Sequence, residues 1–123
     1  MRDLLAYIAA GLVGLWGVAH AVPTSRVAAG FEPVTVDNRR VLVQEWLAEA
    51  FTMWGLAALV VVLTACAPRT SGTTWAYRLV AAILLALGVL TTLTGARTKV
   101  VWFKVCPVLM ATSAALLLIA SAQ

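Results

Sequence analysis

Charge is scarce in this 123-residue chain. Nine Lys or Arg and five Asp or Glu make up 11% of it, against 63% hydrophobic residues. A soluble domain carries about 25% charged residues to cover its surface. This chain lacks them, and a bilayer is the solvent that removes the need. Long basic runs are missing too. No basic stretch exceeds Arg39-Arg40 and no basic stripe alternates with exposed aromatics, so the net charge of +4 points to no nucleic acid. Histidine occurs once, which leaves no second His for a di-metal site in a helix bundle. The two cysteines have no CxxC partner, so zinc and redox motifs are absent. Cys66 and Cys106 fall at opposite membrane surfaces, whereas a disulfide needs Cα atoms within about 7 Å. Cys106 reads as a small buried hydrophobe. No Ser stands in G-x-S-x-G, and Gly11, Gly14 and Gly17 lie inside an apolar block rather than in a phosphate-cradling loop.

Long apolar blocks are what the chain does have. Spans are expected at about 4–22, 41–63, 77–95 and 102–121, each near the length that crosses hydrocarbon. The links are short, so consecutive helices should run antiparallel. The expected fold is an all-α integral membrane protein, an antiparallel up-down four-helix transmembrane bundle forming one domain over 1–123. Pro107 is expected in the first turn of the last helix, where proline is tolerated. Trp102, Phe103 and Lys104 read as interfacial. Ala6, Ala10 and Gly14 are spaced four apart and form a small-residue stripe that lets helices approach. Arg2 and the Ala19-His20-Ala21 segment resemble a cleaved signal peptide, but the apolar run is longer than such peptides carry, and Pro23 lies close to the would-be cut. An uncleaved span is expected.

Ten of the 14 charges fall at one end of this bundle. The crowded end holds Arg26, Arg39, Arg40, Arg97, Lys99 and Lys104 with Glu32, Asp37, Glu45 and Glu49; the other holds Arg2, Asp3, Arg69 and Arg78. Six Lys or Arg against three place the crowded end in the cytoplasm, with both termini outside an inner (cytoplasmic) membrane.

The crowded end is where function is expected. Asp37 is the candidate N-cap of the second span. Glu45 and Glu49 are four apart on one helix face, where two like charges near hydrocarbon require neutralisation. His20, Glu45, Glu49, Arg97 and Lys99 are the candidate ligand- or proton-binding residues of a polar chamber, and an ionisable residue within a span is by default a functional-site hypothesis. Arg39, Arg40 and Lys104 are candidate structural ion-pair partners, and Glu45 and Glu49 are expected to pair with Arg97 and Arg39. Trp16, Trp46 and Trp54 are read as pocket lining or interface anchors.

The function expected from this pattern is a non-catalytic accessory or self-associating subunit. Its partners are the lipid bilayer and either further copies of itself or a larger membrane complex, with no catalytic residue, metal or cofactor assigned. The alternatives are a proton-coupled carrier, a binder of a lipid or small quinone-like hydrophobic ligand using Glu45 and Glu49, and a membrane-embedded enzyme. Length and span number are shared with several small bacterial membrane families, but no motif assigns the chain to one.

Overall fold

The apolar blocks fold as helices because no backbone N–H or C=O can be left unpaired in hydrocarbon. The computed structural model describes residues 1–31 and 33–123; Glu32 lies outside the described residues. Its helices are α1 (Arg2–Ala21), α2 (Thr24–Ala29), α3 (Val36–Cys66), α4 (Ser71–Leu93) and α5 (Trp102–Ser121), with a 3₁₀ turn at Gly95–Arg97. Four of these helical stretches, α1, α3, α4 with its 3₁₀ extension, and α5, are long and apolar enough to cross a membrane. The chain is an all-α multi-pass bundle.

Each spanning helix buries a stripe at three- and four-residue spacing. On α1 the stripe is Arg2, Ala6, Ala9, Ala10, Val13, Gly17 and His20. On α4 it is Thr73, Tyr77, Val80, Ala81, Leu84 and Gly88. α1 packs between α3 and α5, and α5 packs on α4. The expected small-residue stripe is in place: Ala6 and Ala10 are buried, and an added Cβ at Gly14 would sit 3.6 Å from Ala57 Cβ.

α3 and α4 are consecutive yet touch little. Their clearest link is Tyr77, whose hydroxyl lies 2.7 Å from Thr64 Oγ1. Thr64 Oγ1 also lies 2.6 Å from the Val60 carbonyl, to which it donates. The Tyr77 hydroxyl is therefore the donor to Thr64. Tyr77→Phe keeps the ring and removes this donor. It is expected to destabilise the bundle by about 1 kcal/mol in detergent unfolding, in line with other interhelical hydrogen bonds in membranes.

Two expectations are corrected here. The cap of α3 is Thr35, whose Oγ1 accepts from the Asn38 N–H at 3.2 Å. Asp37 lies inside the first turn, paired with Arg40 at 3.3 Å. A hydroxyl two residues earlier supplies the cap, so the helix starts two residues before Asn38. Pro107 is not in a first turn either, because α5 begins at Trp102 and Pro107 lies inside it. The Phe103 carbonyl thus has no N–H four residues on to accept from.

At 31 residues, α3 is about 46 Å long, against a hydrocarbon core of about 30 Å. Counting about 20 residues back from Cys66 puts the crowded-end boundary near Trp46. Asp37, Arg39, Arg40 and Glu45 therefore stand on an overhang in the headgroup layer or beyond it, and α2 packs against α3.

Candidate functional site

Helix α1 ends at the crowded face, and its last carbonyls need donors from outside the helix. Val22 N–H bonds the Val18 carbonyl and Thr24 Oγ1 bonds that of Ala21. Trp46, reaching across from α3, donates its indole N–H to the His20 carbonyl at 2.7 Å. The same indole lies flat on the His20 ring, with centroids 4.0 Å apart and planes 13° from parallel. Phe103 of α5 meets Trp46 edge-on at 5.9 Å. The imidazole is thereby clamped by a side chain that also caps its own helix.

Glu49 is one turn deeper than Glu45. Its Oε2 lies 3.4 Å from His20 Nε2, with the His side chain 8% exposed and the Glu side chain 33%. That separation is within ion-pair range, but the atoms are not aligned as a hydrogen bond, and Nε2 is buried without a hydrogen-bond partner. One helical turn back on α1, Trp16 Nε1 is likewise buried without a strong acceptor. It lies beside the sulfur of Cys106, which also faces Thr91 Oγ1 at 4.0 Å. Four spans thus contribute to one layer: Trp16 and His20 from α1, Trp46 and Glu49 from α3, Thr91 from α4, and Phe103 and Cys106 from α5.

This layer differs from the expected constellation. His20 and Glu49 come together; Glu45, Arg97 and Lys99 do not join them. Glu45 is exposed and makes no hydrogen bond or ion pair among the described residues. It stands on the overhang at the headgroup layer, where polar surroundings solvate a carboxylate. Arg97 closes the 3₁₀ turn after α4 and is exposed. A Cβ on Gly95 would meet the Phe103 ring at 3.0 Å, so that turn lies against Phe103 while Arg97 faces outward. The expected pairing of Glu45 and Glu49 with Arg97 is therefore not formed: water solvates Arg97 more cheaply than a bridge into the bundle would. Lys104 is exposed and has no ion-pair partner among the described residues, and Arg40 pairs along its own helix with Asp37 rather than across helices.

Chemically, a carboxylate beside a clamped imidazole can share or hold a proton. The indole N–H of Trp16 can donate to an acceptor that enters the layer, and His20 Nε2 donates or accepts according to its tautomer. Among the described residues, no three His, Cys, Asp or Glu side chains converge where a metal could bind.

Several features here were not read from the sequence. Trp46 appears in it as an aromatic near an interface; its role as capping donor depends on α3 passing the end of α1. Thr91 and Cys106 have no local signal at all. At the opposite end Arg2 looks like an ordinary terminal charge, yet it is buried, its guanidinium 5.3 Å from the Tyr77 ring centroid. Comparison of the chain with known protein families, curated proteins and solved structures finds no match.

Proposed function

We propose that this protein is a non-catalytic membrane subunit that works by associating with further copies of itself or with a larger complex. The observation that supports this reading is the outer face of α3. Glu45, Ala48, Thr52 and Gly55 repeat at three- and four-residue spacing, and all are exposed. A Cβ built on Gly55 meets nothing within 4 Å. Lipid-facing helix surfaces gain nothing from small residues, whereas helix–helix contacts in membranes use them for close approach. In this reading the His20–Glu49 pair and the Trp46 clamp hold α1 and α3 in register so that the outer face of α3 is presented intact. The crowded end faces the cytoplasm and the termini lie outside, following the Lys/Arg count.

The experiment is Gly55→Leu in lipid nanodiscs, followed by native mass spectrometry. The bulky side chain projects away from the fold, so thermal stability is expected to stay unchanged while assemblies shift to monomers. A wild-type protein that is monomeric at every protein-to-lipid ratio overturns self-association and leaves only the larger complex.

A second reading is favoured by His20 Nε2, buried without a hydrogen-bond partner among the described residues, and by Trp16 Nε1, which has the weakly accepting Cys106 sulfur beside it. A purely structural polar layer would satisfy its own buried donors. These two suit a small hydrophobic ligand bearing an acceptor oxygen, or a proton-coupled carrier in which Glu49 takes up the proton.

A further inference from the structure

The far end of the bundle holds a cation that finds no hydrogen-bond acceptor among the described residues. Arg2 is the first residue of α1 and only 8% exposed. Its Nη2 is buried without a hydrogen-bond partner. The guanidinium carries five N–H donors in a fixed fork. The Tyr77 ring 5.3 Å away offers a π face but accepts no conventional hydrogen bond. The neighbouring acid, Asp3, is already engaged by Arg69 at 2.7 Å, which neutralises it. Burying a charged donor without an acceptor is strongly unfavourable, so a partner from outside the chain is called for.

The surroundings indicate the sign and depth of that partner. The first amides of α1 point out of the helix with no intrahelical acceptor. Thr35 and Thr70 cap α3 and α4 with their hydroxyls, but Met1 gives α1 no side-chain cap. Both the guanidinium and these amides are donors that an oxyanion would satisfy. The depth is that of lipid headgroups. At the same end Trp75 is exposed, as in an interfacial aromatic belt, with the Arg78 guanidinium 5.2 Å from its ring centroid and Arg78 Nε 3.4 Å from Ser121 Oγ.

We propose that Arg2, with the uncapped first turn of α1, holds the phosphate of an anionic lipid headgroup at this membrane face. Arg78 adds positive potential at the same level, and Asp3 does not repel the phosphate because Arg69 covers it.

The test uses the full chain with a tag at its C-terminal end, leaving Arg2 undisturbed. Wild type, Arg2→Gln and Arg2→Lys are placed in phosphatidylcholine nanodiscs with and without phosphatidylglycerol, and in neutral detergent with and without inorganic phosphate. Phosphatidylglycerol is expected to raise the wild-type melting temperature by several degrees and to survive as an adduct in native mass spectrometry. Arg2→Gln is expected to lower that retention about tenfold, the scale of a lost charge-assisted hydrogen bond. Arg2→Lys, which keeps the charge without the fork, is expected to fall between the two, and it carries the test if Arg2→Gln does not fold. Equal stabilisation by inorganic phosphate assigns the site to a free phosphate and overturns the lipid assignment. Stabilisation that is the same in phosphatidylcholine and phosphatidylglycerol, or variants that retain phosphatidylglycerol as wild type does, overturns the site itself.

Discussion

Gly17→Val is expected to destabilise the bundle by about 3 kcal/mol, the upper range for overpacking a close contact. A Cβ at this position would lie 2.6 Å from Trp54 Nε1, 2.8 Å from Trp54 Cδ1 and 3.3 Å from the Ala50 carbonyl oxygen. The indole cannot yield freely. Its Nε1 donates to the Gly14 carbonyl at 3.2 Å, and Phe51 packs against it edge-on at 5.5 Å. The absence of a side chain at Gly17, three residues on, is what leaves that carbonyl open to α3. Valine therefore breaks an interhelical hydrogen bond as well as forcing the helices apart. The gain in intrinsic helix propensity over glycine, under about 1 kcal/mol, does not offset this. Gly14→Ala is the control: its Cβ would make an ordinary 3.6 Å contact, so stability should hold or rise slightly. Unfolding by SDS titration, followed through tryptophan fluorescence and far-UV circular dichroism, measures both.

The contrast between these glycines shows how far the sequence could be read. Composition and block length are enough for four spans, because hydrocarbon permits little else at this hydrophobicity. The stripe of Ala6, Ala10 and Gly14 was legible because a helix repeats its faces every three to four residues. That Gly17 is the tightest contact was not, since it depends on where Trp54 falls when α3 crosses α1. The same holds at the crowded end. The two carboxylates of α3 share a face by spacing alone, but only the length of α3 puts Glu45 at the headgroup layer and Glu49 one turn deeper, at the hydrocarbon edge. The charge of Arg97 suggested a partner for them; the 3₁₀ turn that carries it outward is set by Gly95 against Phe103. Arg2 was the least legible, because its burial comes from Tyr77, a residue 75 positions away.

Glu49→Gln separates the two functional readings more sharply than any other change. If the His20–Glu49 contact serves to join helices, neutralising Glu49 removes the anionic neighbour of a buried imidazole. The loss is then expected to be about 1–2 kcal/mol, below the 3–5 kcal/mol of a fully buried pair because a third of the Glu49 side chain is exposed. His20→Ala should cost more, about 3 kcal/mol, since it also deletes the aromatic stack with Trp46 and leaves a cavity beneath the indole. The two losses should be non-additive in a double-mutant cycle, because each variant removes the same contact. Glu45→Gln, on the exposed turn above, should change nothing. If instead Glu49 carries a proton for transport, Glu49→Gln keeps the melting temperature of the wild type and abolishes solute uptake driven by a pH gradient into proteoliposomes. A fully stable Glu49→Gln protein would sink the structural role, and one that still moves solute with the gradient would sink the carrier. The outcome depends on a single geometric fact: Glu49 Oε2 and His20 Nε2 lie 3.4 Å apart, a separation that attracts when the imidazole is protonated, yet they form no hydrogen bond. A helix lock draws on that attraction, whereas a proton site draws on the unmade bond.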